Sequence, residues 1–334
     1  MDSYLIYILA RLVMLVFRVL PRPLGVWIIR FLGACTYYLD WRHRHIAAVN
    51  LKIAFPELTD VERSLIARKS FQNTGMNLLE LSRFSSLTPD NISSFAEYDP
   101  NQGLENYKAA IAQGKGILYL TGHFSSWELL PSAHALHGYP LSFVTRPLDN
   151  APLDKYLLDL RESKGNRVIN KRNSARQILK NLASGSTAGI LMDQNTSLQE
   201  GMFVEFFGIP AATSTSVALF ALRTDAPVLP GYLTPMRNGR YTIKFLPPVN
   251  VVRTGDMSRD LEINTRRFND ILEGIVREQP ESWLWGHKRW KYQPPGNPVD
   301  LYSLTDAQLS IFLSESKKTP SLKSVTAKAD QADA

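Results

Sequence analysis

From about residue 105 to residue 277, short apolar runs alternate with stretches whose apolar residues recur at helical spacing. This alternation constrains the fold more than any other feature of the chain. Strands that alternate with helices assemble into an α/β layout whose sheet contains parallel neighbours. The expected strands are 116–120, 141–145, 167–169, 187–192, 228–233 and 240–245, and the expected helices are 126–136, 153–163, 174–183, 215–223 and 258–277. Pro131 lies inside the first of these helices and predicts a kink there. Upstream, Thr59 with Glu62 three residues later reads as the cap of a helix over 59–84. The expectation is therefore α/β, with a mixed, partly parallel sheet flanked by helices. In such sheets the chemistry gathers outside the carboxyl ends of the strands.

The N-terminus carries a second signal. Residues 4–20 are almost wholly apolar, interrupted by Arg11 and Arg18 and stopped by Pro21-Arg22-Pro23. Residues 24–39 form a second apolar stretch, and the basic run Arg42-His43-Arg44-His45 follows Asp40-Trp41. No basic segment precedes the first run and no small-residue cleavage site follows it, which argues against a removable signal peptide. Spacings of seven and four put Arg11, Arg18 and Arg22 on one helical stripe, turned toward a neighbouring helix or toward an interface. The sequence is read as an N-terminal membrane-anchoring helix in residues 1–45, with the remainder on the cytoplasmic side because the basic residues follow the first helix. Residues 46–313 form the main domain. Residues 314–334, rich in Ser, Lys, Ala and Asp and free of aromatics, are expected to be a disordered tail.

His123 and Glu128, in Gly122-His-Phe-Ser-Ser-Trp-Glu128, are the residues most suggestive of chemistry. Histidine moves protons near neutral pH, and a carboxylate can fix its tautomer and stabilise its charged form. Five residues of regular helix would turn the two side chains about 140° apart. They meet only if His123 lies in the loop before the helix, with Ser125 as N-cap and Glu128 in a capping box. No Gly-x-Ser-x-Gly nucleophile elbow is present, so the base would act on a substrate hydroxyl directly.

The segment Gly122–Glu128 resembles the His-x4-Asp/Glu box of the lysophospholipid acyltransferase superfamily. The chain is more narrowly similar to the lipid A biosynthesis (lauroyl/myristoyl) acyltransferases. The similarity spans most of residues 4–296 and includes, in order, Asn50-Leu-Lys-Ile-Ala-Phe-Pro-Glu57, Thr145-Arg-Pro-Leu-Asp-Asn150, Met192-Asp-Gln-Asn195, Phe203-Val-Glu-Phe-Phe-Gly-Ile-Pro210 and Trp283-Leu-Trp-Gly-His-Lys-Arg-Trp-Lys291. Glu205 departs from the family's proline or small residue and leaves the shape of that loop open. The resemblance implies a glycerolipid acyltransferase-like fold at the inner membrane with the catalytic domain on the cytoplasmic face. It also implies acyl transfer from acyl carrier protein or acyl-CoA to a hydroxyl of an anionic lipid A precursor, with His123 as base, Glu128 as its orienter and no cofactor. The alternatives are an acyltransferase for another lysolipid, glycolipid or aminolipid, or a lipid-binding relative without activity.

Other candidates take their place around this pair. Arg146, after a strand and before Pro147, suits an acceptor's phosphate or sugar through its planar fork, or a surface ion pair with Asp149 or Glu128. Asp193 ends a strand and can orient Arg146 or His123, or cap the following loop through Asn195. Phe206 and Gly208 belong to an apolar loop over 203–208, where backbone amides can hold an anion and the phenylalanines can line an acyl channel or simply pack in the core. The net charge of +7 and pI near 9.4 favour anionic partners. No nucleic-acid-binding signature appears, so a phosphorylated lipid or membrane surface is preferred. Cys35 is the only cysteine, which excludes an intramolecular disulfide and a multi-cysteine metal site.

Overall fold

The computed structural model describes residues 3–171, 174–236, 238–295 and 299–316. Two helices, α1 (Ser3–Val19) and α2 (Arg22–Leu39), break at Pro21 and are followed by α3 (Trp41–Ala54) and α4 (Asp60–Arg83). Thr59 and Glu62 form the expected capping box on α4. The remaining elements are β1 (Ala96–Tyr98), α5 (Leu104–Ile111), β2 (Ile117–Thr121), α6 (Leu129–Leu136), β3 (Ser142–Thr145), α7 (Ala151–Glu162), β4 (Arg167–Asn170), α8 (Ser174–Ala183) and β5 (Thr187–Leu191). After them come β6 (Gly201–Phe206), β7 (Ile209–Ser214), α9 (Ser216–Thr224), β8 (Val228–Pro235), β9 (Tyr241–Phe245), α10 (Met257–Glu278) and α11 (Asp306–Ser316).

Seven strands form one sheet in the order β1-β9-β8-β2-β5-β3-β4. Neighbours from β8 to β4 run parallel, while β9 is antiparallel to β8 and carries β1 parallel to itself. Both faces are covered. Leu118 and Leu120 of β2 enter one core with Ala188 and Ile190, and Ile117 and Tyr119 enter the other with Leu229 and Phe245. Burial on both sides explains why these strands read as unbroken apolar runs.

The anchoring helix expected at the N-terminus is corrected by the structure. No helix among the described residues is long and apolar enough to cross a membrane. The physical reason lies in the polar residues and Pro21, which divide the apolar stretch into α1 and α2. These helices pack on α4 through Phe17, Ile29, Met76 and Leu79, while Leu12, Val16, Trp27 and Phe31 are exposed. Two arginines of the stripe, Arg11 and Arg22, turn toward protein, while Arg18 is exposed. Arg11 donates to the Tyr7 hydroxyl at 2.8 Å and lies over the Tyr156 ring at 4.5 Å. Arg22 pairs with buried Glu80 at 2.7 Å.

The apolar loop expected over 203–208 is instead a β-hairpin. β6 and β7 form a separate antiparallel ribbon joined by Phe207 and Gly208, both at positive φ (52° and 74°). Glycine takes that conformation without a side-chain clash. Glu205, the residue that left this segment's shape open, is buried and paired with Arg266 at 2.9 Å. Of the tail expected from residue 314, the first three residues close α11, and 317–334 lie outside the described residues.

Candidate active site

The hydrogen-bond register of two neighbouring strands builds the centre of the site. β2 and β5 are parallel, with Thr121 opposite Leu191, and the Met192 N–H donates to the Thr121 carbonyl at 3.1 Å. Two residues further along each chain stand His123 and Asp193, side by side at the carboxyl edge of the sheet. A Cβ on Gly122 would lie 2.8 Å from the Asp193 carboxyl carbon and 2.7 Å from the Phe124 ring, so the close approach of the two strand ends requires glycine there.

Asp193 is 1% exposed and its carboxylate is fully engaged on the protein side. Oδ1 pairs with His123 Nδ1 at 2.9 Å. Oδ2 accepts the His123 backbone N–H at 2.8 Å and the Trp283 indole N–H at 2.7 Å. Burial by itself would raise this carboxyl's pKa, but the charge of His123 and the donors from His123 and Trp283 hold it down at about 2. An ionised Asp193 makes Nδ1 the protonated nitrogen of a neutral His123 and leaves Nε2 with its lone pair free for a proton. The Gln194 side-chain amide lies 3.4 Å from Nε2, and the Trp127 ring stands edge-on to the imidazole at 5.1 Å between centroids.

Glu128 takes a different partner. Arg161 of α7 grips it with two donors, Nε to Oε2 at 3.0 Å and Nη2 to Oε1 at 2.6 Å, with both side chains mostly buried. The anticipated capping box at this loop is also corrected. α6 starts at Leu129, Glu128 is its N-cap residue without a side-chain cap bond, and Ser125 adopts a left-handed φ of 51°. The Ser125–Glu128 stretch is thereby bent rather than helical, and the Glu128 N–H is taken by Asn77 instead.

The remaining candidates are distributed unevenly. Arg146 is exposed just past the end of β3, the strand next to β5, and the possible partner Glu128 belongs to Arg161. Phe206 is fully buried against Phe207, Trp283 and Trp290, with the Arg289 guanidinium 4.8 Å over its ring, so it supports Trp283 from the core. Gly208 is exposed at the hairpin tip, and the neighbouring Phe207 amide is spent on Glu273.

The Trp-rich block is the wall behind the site. Leu284 N–H donates to the His123 carbonyl at 3.2 Å, and His287 Nε2 accepts the Asn195 N–H at 3.1 Å. That bond demands a neutral His287, and burial lowers its pKa to about 4. Asn50 of α3 ties the block down by donating to the Trp285 and His287 carbonyls at 2.8 and 2.7 Å. Arg161, Trp283 and Asn77 escape sequence reasoning as site residues. Arg161 lies among the charges of an ordinary surface-like helix, and the Trp283 indole reveals nothing until it meets a carboxylate 90 residues away.

A histidine held by a buried aspartate at the carboxyl edge of a mostly parallel sheet is an arrangement suited to moving a proton during group transfer. The particular family follows from comparison with known proteins. The sequence model of the bacterial lipid A biosynthesis acyltransferases matches residues 1–292, and the chain belongs to that family of acyltransferases. It is 28% identical over 259 residues to the lipid A biosynthesis lauroyltransferase of Escherichia coli K12, covering 77% of this chain and 82% of that protein. It is 26% identical over 281 residues to the lipid A biosynthesis palmitoleoyltransferase of the same organism, covering 83% and 88%. A lipid A biosynthesis acyltransferase of Haemophilus influenzae is 25% identical over 271 residues, covering 80% and 79%.

Proposed function

We propose that this protein moves a fatty acyl chain from an acyl thioester to a hydroxyl of a lipid A precursor, with His123 as general base. The single observation that carries the reading is the pairing of His123 Nδ1 with Asp193, which leaves Nε2 as the proton acceptor. Nε2 removes the acceptor's hydroxyl proton as the oxygen attacks the thioester carbonyl. The tetrahedral oxyanion then collapses, the carbon–sulfur bond breaks, and the departing thiolate takes the proton from the imidazolium. Asp193 fixes the tautomer and stabilises the charged ring, a role the sequence gives to Glu128. Glu128 in turn holds Arg161, a fixed cation for the oxyanion or for an anionic acceptor. Arg146 contributes a second cation, free to bind the acceptor's phosphate or sugar.

The donor is acyl carrier protein or acyl-CoA. The reaction runs at the inner membrane with the catalytic domain on the cytoplasmic side. The exposed Leu12, Val16, Trp27 and Phe31 support contact with a bilayer surface, and the basic run 42–45 supports the orientation. The test is transfer of labelled acyl chains from each donor to a lipid A precursor and, in parallel, to lysophospholipid and glycolipid acceptors. His123→Ala should lower transfer by about 10²–10⁴-fold. Full activity in that folded variant, or a preference for another acceptor, overturns the reading.

A further inference from the structure

Four polar side chains of α4 (Ser70, Asn73, Asn77 and Glu80) recur at spacings of three, four and three residues, which aligns them on one helical face. All four reach outside the helix. Ser70 Oγ donates to the Trp283 carbonyl at 2.5 Å and Asn73 Nδ2 to the Glu281 carbonyl at 2.9 Å. The other two act on the loop that follows His123. Asn77, buried, donates to the Ser125 carbonyl at 3.1 Å and accepts the Glu128 N–H at 3.2 Å, so one amide spans the bend. Ser125 sits at a left-handed φ that side chains seldom adopt, and the Ser282 carbonyl takes its N–H at 2.7 Å.

One turn beyond Asn77, Glu80 holds the same loop through an intermediary. The Tyr241 hydroxyl donates to Glu80 Oε1 at 3.0 Å, which leaves its oxygen to accept the Ser126 hydroxyl at 2.8 Å. Glu80 also receives Arg22 from the start of α2 at 2.7 Å. Burial, reinforced by Glu80, raises the Tyr241 pKa and keeps it a donor.

We propose that Asn77 and the Tyr241–Glu80 pair are positioning residues for the reaction, clamping residues 125–128 onto α4. His123 is set by Asp193 at one end of the loop, and Glu128 with Arg161 stands at the other. The clamp fixes the distance between base and cation, and Arg22 ties the α1–α2 pair to it. The inference rests on the reading of His123 as the base.

Two substitutions test it on the full-length protein, Tyr241→Phe, which removes one hydroxyl, and Asn77→Ser. Amide hydrogen exchange without substrate reads the loop directly, and residues 124–129 should exchange about tenfold faster in both variants. With donor and acceptor present, kcat should fall about tenfold while each KM stays within twofold. The pH midpoint of the rate should not move, because the His123–Asp193 pair is untouched. Asn166→Ala is the control. Asn166 is equally buried and accepts the Leu141 N–H at 3.1 Å in another loop, so its loss should leave kcat within twofold. Unchanged exchange in residues 124–129 of both variants overturns the clamp, as does a kcat loss matched by Asn166→Ala. A wild-type protein that transfers no acyl chain sinks the functional reading instead, and the exchange result still decides the clamp.

Discussion

Trp283 donates its indole N–H to Asp193 Oδ2 at 2.7 Å, so the carboxylate that orients His123 is itself held by a residue fully embedded in the aromatic core. Hydrogen bonds to charged groups contribute about 1.5–3 kcal/mol. Trp283→Phe keeps most of the packing and removes that donor, so it should destabilise the fold by roughly this amount. It should also raise the Asp193 pKa from its depressed value, so the stability that Asp193 contributes should be lost at a higher pH on acidification. Thermal melts at neutral pH and through the acid range check the two effects separately, and an acid loss that begins where it does in the wild type would show that the indole bond does not tune Asp193.

The two carboxylates should separate cleanly under isosteric substitution. Asp193→Asn can donate to Nδ1 and push the imidazole proton to Nε2, which silences the base. The comparable change in a serine protease triad costs about 10⁴-fold, and a loss of that order is expected in kcat here. Glu128→Gln leaves the tautomer alone and weakens the grip on Arg161, so activity should fall by a smaller factor. Equal losses in the two variants, measured at saturating donor, would return the orienting role to Glu128.

Arg146, exposed past the end of β3, should serve the acceptor more than the donor. Arg146→Lys keeps the charge and loses the planar fork, and is expected to impair transfer measurably. Arg146→Ala should depress transfer to the lipid while slow hydrolysis of the acyl donor persists. If both fall together, the residue acts on the oxyanion or the fold.

Acid should destabilise the protein through its buried histidines. Burial lowers the pKa of His134 to about 3 and that of His287 to about 4, from an ordinary value of 6.5. The unfolded chain therefore binds more protons between about 4 and 6.5, and stability rises with pH across that window. His134→Phe removes one of these protons and should flatten the slope by up to about 1.4 kcal/mol per pH unit. Urea unfolding at several pH values between 4 and 6.5 measures it. An unaltered slope would mean that His134 is protonated in the folded state.

The strands and helices of the sheet were legible because their cues are local. The capping box at Thr59 and the apolar runs of β2, β5 and β8 need no knowledge of the rest of the chain. β1 is only three residues long, and the β6–β7 hairpin was hidden because Phe203, Phe206 and Phe207 read equally well as an apolar loop. At the site, His123 was legible from its place after a strand, and Asp193 from the same position on another. Which of them would meet depended on strand order, and β5 lies beside β2 although β3 and β4 come between them in sequence. Glu128 was nearer to His123 along the chain, but the left-handed Ser125 bends the path between them.

The β2–β5 register has a consequence for how such a chain tolerates change. His123 and Asp193 meet because β2 and β5 end level, so the stretch of chain between these two strands, which holds β3, β4 and three helices, is not what brings them together. Lengthening or trimming an exposed turn in that stretch should leave the pair intact, which makes those turns natural places for lineage-specific insertions or for an engineered label. A single residue added within β5 is a different matter. It would reverse the facing of every side chain beyond it, carry Asp193 out of line with His123, and undo the pair although both residues are still encoded.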